Sequence, residues 1–183
     1  MLIVDIDNHD GPLNAEEIDY LKMAGIQGAI VGLQYPTNSM YPPGVAHQQI
    51  PMLKAGGIEI VGCYAESQHI QDTWRYVEHL SRWIPEIWQA CEEPHIDETW
   101  VDSSLQFISS IGKGRGIYTA PWWTNSRPWM QKYSNERLWV AQSDENYDPN
   151  TFTPFNGWTS CEIKQVTGTA HIGRLAVDLN VKW

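Results

Sequence analysis

Apolar positions along the chain fall into two alternating rhythms. Short, nearly continuous apolar runs read as buried strands, and runs spaced every three or four residues read as helices that cover them. Leu2 to Ile6 is the first strand and gives way to the polar cluster Asp5-Ile6-Asp7-Asn8-His9-Asp10-Gly11-Pro12. Asn14 with Glu17 three residues on reads as a capping box, Ile18 and Leu21 as the apolar stripe, and Gly25 as the stop. Residues 26–34 form a second strand. Residues 45–55 form a helix closed by Gly56-Gly57, and residues 58–64 a third strand. Ile70, Trp74, Val77, Leu80 and Ile84 recur at helical spacing and predict a helix over 70–83. A fourth strand runs over 86–92, before Pro94. Trp100, Val101, Leu105, Ile108 and Ile111 mark the next helix. Strands at 116–119 and 138–142 bracket a Trp-rich loop with a short helix. The last forty residues hold two strands, 160–166 and 175–180, and no helix.

Strand and helix therefore alternate about five times, after which strands continue alone. Short connections between alternating elements imply parallel strands covered by helices. Eight strands predict an α/β fold closed as a barrel, (β/α)5(β)3, in one domain over 1–183. The 183 residues, 42% of them hydrophobic, suffice for one such core.

In a parallel barrel, reactive groups gather at the C-terminal ends of the strands. Acids pile up there: Asp5 and Asp7 after strand one, Glu66 after strand three, Glu92 and Glu93 after strand four, and Asp178 on the last strand. Gln34, Tyr64, Tyr118 and Asn180 end other strands. Along strand four, Trp88, Ala90 and Glu92 share one face, while Ile87, Gln89, Cys91 and Glu93 share the other. Glu92 is expected to point into the mouth and Glu93 to be an exposed turn residue. A carboxylic acid in a partly apolar cleft beside other acids has its pKa raised, which suits a proton donor to a glycosidic oxygen.

Composition narrows the function classes. Lys and Arg total 12 against 22 Asp and Glu, a net charge of −10, so nucleic acid is not an expected ligand. Ten Trp provide flat apolar faces with one N–H, which suit sugar rings as well as cores. Cys63, Cys91 and Cys161 lack ligand or disulfide spacing, and the six His do not pair at ligand spacing; no metal and no cofactor is expected. His9 is the one histidine beside the expected mouth. No G-x-S-x-G elbow occurs. The start MLIVDIDNHDG has no signal-peptide pattern, and no apolar run reaches membrane-spanning length. Synthesis in the cytoplasm and a monomeric state are the expectations.

Segment by segment, the chain resembles the family 25 glycoside hydrolases, the muramidase-type lysozymes common among bacteriophage endolysins. VDIDNHDG at 4–11 resembles that family's first strand, and LKMAGIQGAIVGLQ its first helix and second strand. MLKAGGIEIVGCYAE, GIYTAPWW and LWVAQ resemble the segments around its third, fifth and sixth strands. IKQVTG followed by GRLAVDLNVKW resembles its closing segment. The resemblance implies hydrolysis of the β-1,4 bond between N-acetylmuramic acid and N-acetylglucosamine in peptidoglycan, and with it action on the bacterial cell wall after release. It implies catalytic roles for Glu92, Asp5 and Asp178, with Tyr64 and Tyr118 shaping the sugar pocket. Where the family carries Asp-x-Glu on strand four, this chain has Ala90-Cys91-Glu92. Glu66 or Asp5 is expected to supply the missing charge. Trp122 and Trp123, with Trp129, are candidates for stacking on sugars, and Gln34 and Asn180 for binding. Two other readings stand beside this one. One is a saccharide-binding homologue that no longer cleaves. The other is a glycosidase for a different amino-sugar polymer, with specificity in loops 35–48 and 143–157.

Overall fold

The computed structural model describes residues 1–33, 45–66 and 70–183, with the backbone alone at Glu66 and Pro149. Eight strands close a barrel in chain order: β1 (Leu2–Ile6), β2 (Gly28–Gly32), β3 (Glu59–Glu66), β4 (Glu86–Cys91), β5 (Gly114–Thr119), β6 (Arg137–Ala141), β7 (Ile163–Ile172) and β8 (Leu175–Lys182). Neighbours from β1 to β7 run parallel, and β8 runs antiparallel to both β7 and β1. The α-helices α1 (Ala15–Met23), α2 (Val45–Ala55), α3 (Ile70–Val77), α4 (Glu98–Ser110) and α5 (Pro121–Thr124) each follow one of the first five strands. The architecture is the α/β barrel with five β/α units and three further strands that the alternation predicts.

Local chemistry explains the elements. Asn14 Oδ1 accepts from the Glu17 backbone N–H at 3.1 Å, and Glu17 Oε2 accepts from the Asn14 N–H at 2.8 Å, so α1 starts on the expected capping box. Gly25 ends it at φ 80°, the left-handed region that only glycine enters cheaply. The helix expected over 70–83 is α-helical to Val77 and tightens to a 3₁₀ turn from Glu78 to Trp83.

Two apolar layers result. The barrel interior holds Ile3, Ile30, Val61, Trp88, Trp139 and Ile163, with Tyr64 and Tyr118 packed above them. The helices cover the outward faces through a larger cluster that includes Ile87, Cys91, Ile117 and Val140. The β4 alternation is as expected: Trp88 fills the interior while Ile87 and Cys91 face the helices. Trp88 fits because Gly116 stands opposite; a Cβ there would lie 2.3 Å from its ring. At the floor of the barrel the buried Glu86 takes Arg137 at 2.6 Å and Lys182 at 3.3 Å, so its charge is compensated twice.

Among the described residues no α-helix follows β6 or β7. The segment after β6 covers them instead, tied by Lys164. This fully buried side chain donates from Nζ to Asp144 Oδ2 at 2.8 Å, Thr151 Oγ1 at 2.8 Å and the Asn146 carbonyl at 3.2 Å. β7 and β8 extend beyond the rim as a hairpin, turning at Gly173, where a Cβ would meet the Tyr20 ring of α1 at 2.6 Å. Arg174 pairs with Glu17 there. The hairpin explains why β7 runs to Ile172 rather than ending near 166 as expected.

Candidate active site

A cleft of about 340 Å³ opens at the C-terminal ends of the parallel strands, lined by Asp5, Asp7, Asp10, Glu92, Glu93 and Asp178 among aromatic walls of Tyr64, Tyr118 and Trp139. Barrel closure brings the acids together. Asp5 on β1 and Asp178 on β8 are register partners across the antiparallel pair, although they come from opposite ends of the chain. Glu92 follows β4 and is half-buried, whereas Glu93 is exposed yet also borders the cleft.

Electrostatics set these acids apart from one another. Burial pushes the Glu92 carboxyl up to about 7, opposed by a hydrogen bond with Tyr118 and reinforced by the charges of Glu93 and Asp178. Asp178 is pushed up to about 6, by burial first and then by Asp7 and Asp10. Burial and the neighbouring Asp178 raise Asp5 well above the usual carboxylate range, against hydrogen bonds from Asn180 and Gln165. Burial raises both Tyr64 and Tyr118, so their hydroxyls stay protonated.

A polar network supports the acids from below. Trp139 Nε1 donates to Asn180 Oδ1 at 2.7 Å, and Asn180 Nδ2 donates to Asp5 Oδ2 at 2.7 Å. Gln165 Nε2 donates to Asp178 Oδ2 at 2.7 Å and reaches Asp5 Oδ2 at 3.4 Å. Tyr118 donates its hydroxyl to Gln165 Oε1 at 3.1 Å. Asp7 stands at the rim, where it caps the turn that follows β1 and accepts from His9 Nδ1 at 3.0 Å. That contact raises the His9 pKa.

The expected site residues divide. Glu92, Asp5, Asp178, Tyr64 and Tyr118 converge on the cleft. Asn180 does not face it: the side chain is fully buried and holds Asp5 from behind, so the expected binding role is corrected to support. Trp123 is corrected as well. It is 2% exposed, donates Nε1 to the Glu93 carbonyl at 3.2 Å, and lies under Arg127 and against Trp129. Its neighbour Trp122 turns outward and is 68% exposed. Gln34 lies outside the described residues, as does the side chain of Glu66; the Glu66 backbone pairs with Ala90, which lines the cleft. Loop 35–48 falls outside them up to residue 44.

Sequence reasoning missed Trp139, Gln165 and Asp10. The signal for Gln165 was alternation: it shares the inward face of β7 with Ile163. Among the described residues, no group of three or more His, Cys, Asp or Glu is arranged to hold a metal ion, and no helix is long and apolar enough to cross a membrane. All three cysteines are free thiols.

A (β/α)5(β)3 barrel with an acid-lined mouth is thus the class that fold and site define. No protein-family model matches the chain. Over 99 residues it is 32% identical to a probable GH family 25 lysozyme 2 of Dictyostelium discoideum, a match covering 52% of this chain and 44% of that protein. The chain therefore spans less than half the length of that curated relative. The muramidase from Acremonium alcalophilum superposes over 100% of the chain and 93% of its own length, with a TM-score of 0.71 at 14% identity. The spore cortex lytic enzyme of Clostridium perfringens superposes over 100% and 67%, with a TM-score of 0.72 at 14% identity. At that identity the shared property is the fold. The resemblance to family 25 glycoside hydrolases read from the sequence accordingly has both a sequence relative and structural neighbours behind it.

Proposed function

We propose that the chain is a glycoside hydrolase domain that cleaves the β-1,4 bond between N-acetylmuramic acid and N-acetylglucosamine in bacterial peptidoglycan. The observation that carries this reading is Glu92: a half-buried carboxyl in an open cleft, titrating at about 7 and facing two further acids. Near neutral pH it holds a proton to give to the leaving glycosidic oxygen. Asp178, titrating at about 6, is ionised first and supplies negative charge to the oxocarbenium-like centre, with Asp5 beside it. Either a second carboxylate or the substrate's acetamido group then completes the displacement. The walls formed by Tyr64, Tyr118 and Trp139 offer ring faces to a sugar, and Trp122, exposed on α5 just after β5, offers another.

Ala90 occupies the place where the related strand-four motif has Asp. Glu66, whose backbone pairs with Ala90, is the candidate for the missing charge. Equal rates of wall lysis by wild type and Glu66→Gln would remove it from the mechanism. The decisive experiment incubates the protein with purified peptidoglycan and identifies new reducing ends. New N-acetylmuramic acid ends are expected from wild type and none from Glu92→Gln. Ala90 also favours a second reading, a saccharide-binding homologue without turnover; binding to the wall with no new ends across a broad pH range would establish it in place of the first.

A further inference from the structure

We propose that Gln49 is a positioning residue: its buried amide clamps both ends of the rim turn after β1 and so holds Asp7 and Asp10 in the mouth beside Asp178. The proposal rests on the reading of Asp178 as the acid that ionises first. Its ground is one side-chain amide and the two carbonyls that it joins.

Gln49 breaks the pattern of its own helix. The buried side of α2 consists of Val45, Ala46, Ile50 and Leu53, all apolar, and of Gln49, which is fully buried with them. An amphipathic helix calls for an apolar residue there. The Nε2 group explains the exception. It donates to the Asp7 carbonyl at 2.7 Å and to the Gly11 carbonyl at 2.9 Å, so both amide protons are used. Those carbonyls flank the turn Asn8–Asp10, and one nitrogen therefore gathers its two ends. The amide oxygen is left buried with no partner among the described residues. An orphaned acceptor costs stability, so the amide is retained for its donors and not for the packing of the helix. Within the turn the carboxylates are fixed as well. Asp10 Oδ2 accepts from the Asp7 N–H at 3.0 Å, and Asp7 Oδ1 accepts from the His9 N–H at 2.6 Å. Both acids line the cleft with Asp178, and after burial it is their charges that push that carboxyl up. The other titratable groups of the cleft stand outside the turn: Asp5 on β1, Tyr64 on β3, Tyr118 on β5, and Glu92 and Glu93 after β4. His9 belongs to the turn and moves with it, paired to Asp7. Both hydrogen bonds of Gln49 go to the turn, so its influence on Asp178 passes through the turn.

The test is Gln49→Met, which keeps the length and suits the apolar side of α2 but donates nothing. With the turn released, Asp7 and Asp10 move away from Asp178. The Asp178 titration midpoint should then fall by about 0.5 pH unit, the scale of one partly screened like charge. The midpoint is read by carbon-13 carboxyl NMR, with Asp178 assigned by comparison with Asp178→Asn. Asp7→Asn combined with Asp10→Asn keeps the accepting oxygens of the turn and removes their charge. In that background Gln49→Met should move Asp178 no further. In wall lysis, Gln49→Met should carry the limb near 6 to lower pH by the same amount and leave the limb near 7 in place. A midpoint that stays or rises would overturn the proposal. So would an equal fall in both backgrounds, since that effect would come from water entering the mouth and not from the charges of the turn. A lysis profile reduced in height with both limbs unmoved would make Gln49 a merely structural residue. Wild type offers a check that needs no variant: both side-chain amide protons of Gln49 should exchange slowly with solvent, and rapid exchange of either would refute the clamp. The titrations need no turnover. A protein that cleaves no glycan would refute the hydrolase reading and leave these shifts to decide the role of Gln49.

Discussion

Replacing Glu92 with glutamine should stabilise the fold while it removes activity, and the gain should depend on pH. In the fold the carboxyl titrates at about 7, against an ordinary value of 4.5. Below pH 4 both folded and unfolded chains carry it protonated, and it contributes no penalty. As pH rises from 4.5 toward 7 the unfolded chain ionises while the folded one does not, so stability falls by about 1.4 kcal/mol per pH unit. Above pH 7 the penalty levels off. Full burial would set it at about 3 kcal/mol, and water reaching the half-buried group reduces it to roughly 1–2 kcal/mol. Glutamine keeps the shape but never ionises. Urea unfolding of wild type and Glu92→Gln should therefore coincide at pH 4 and diverge by that amount at pH 8, about 3–6 °C in Tm for a domain of this size. A constant difference between the two pH values would refute the assignment of Glu92 as a carboxyl held neutral by its surroundings.

The remaining predictions concern the cleft and its supports. Wall lysis should follow a bell-shaped pH profile with limbs near 6 and 7, because Asp178 must lose its proton while Glu92 keeps one; a profile flat from pH 5 to 8 would contradict this pairing. Trp122→Ala should leave Tm within about 2 °C and raise KM for soluble glycan, whereas Trp123→Ala should cost about 3–5 kcal/mol in denaturant unfolding. Lys164→Met should lose about 1–3 kcal/mol and speed amide exchange across residues 144–151, since three bonds to that segment disappear.

What could be read without coordinates followed from periodicity. Period-two alternation on β4 placed Glu92 with Trp88 and Ala90, and that face is the one that reaches the cleft. The capping box at Asn14 and the glycine stop at Gly25 located α1 to the residue. The misses share a different cause. Asp178 and Asn180 share one face of β8, and only the antiparallel direction of that strand decides that Asp178 lines the mouth while Asn180, two residues further on, lies deeper behind Asp5. Trp122 and Trp123 sit in a helix of four residues, too short for a stripe to mark an inner side. Gln165 looks like an ordinary strand residue until Tyr118, Asp5 and Asp178 arrive from three other strands.

The seam between β1 and β8 has a temporal consequence. Asp5 and its support Asn180 lie 175 positions apart, so everything from β1 to β8 must leave the ribosome before they can meet. A nascent molecule ending before residue 175 has Glu92, the proposed proton donor, but neither Asp178 nor the amide that steadies Asp5. Lytic competence of the kind proposed therefore arrives with β8 and not before it.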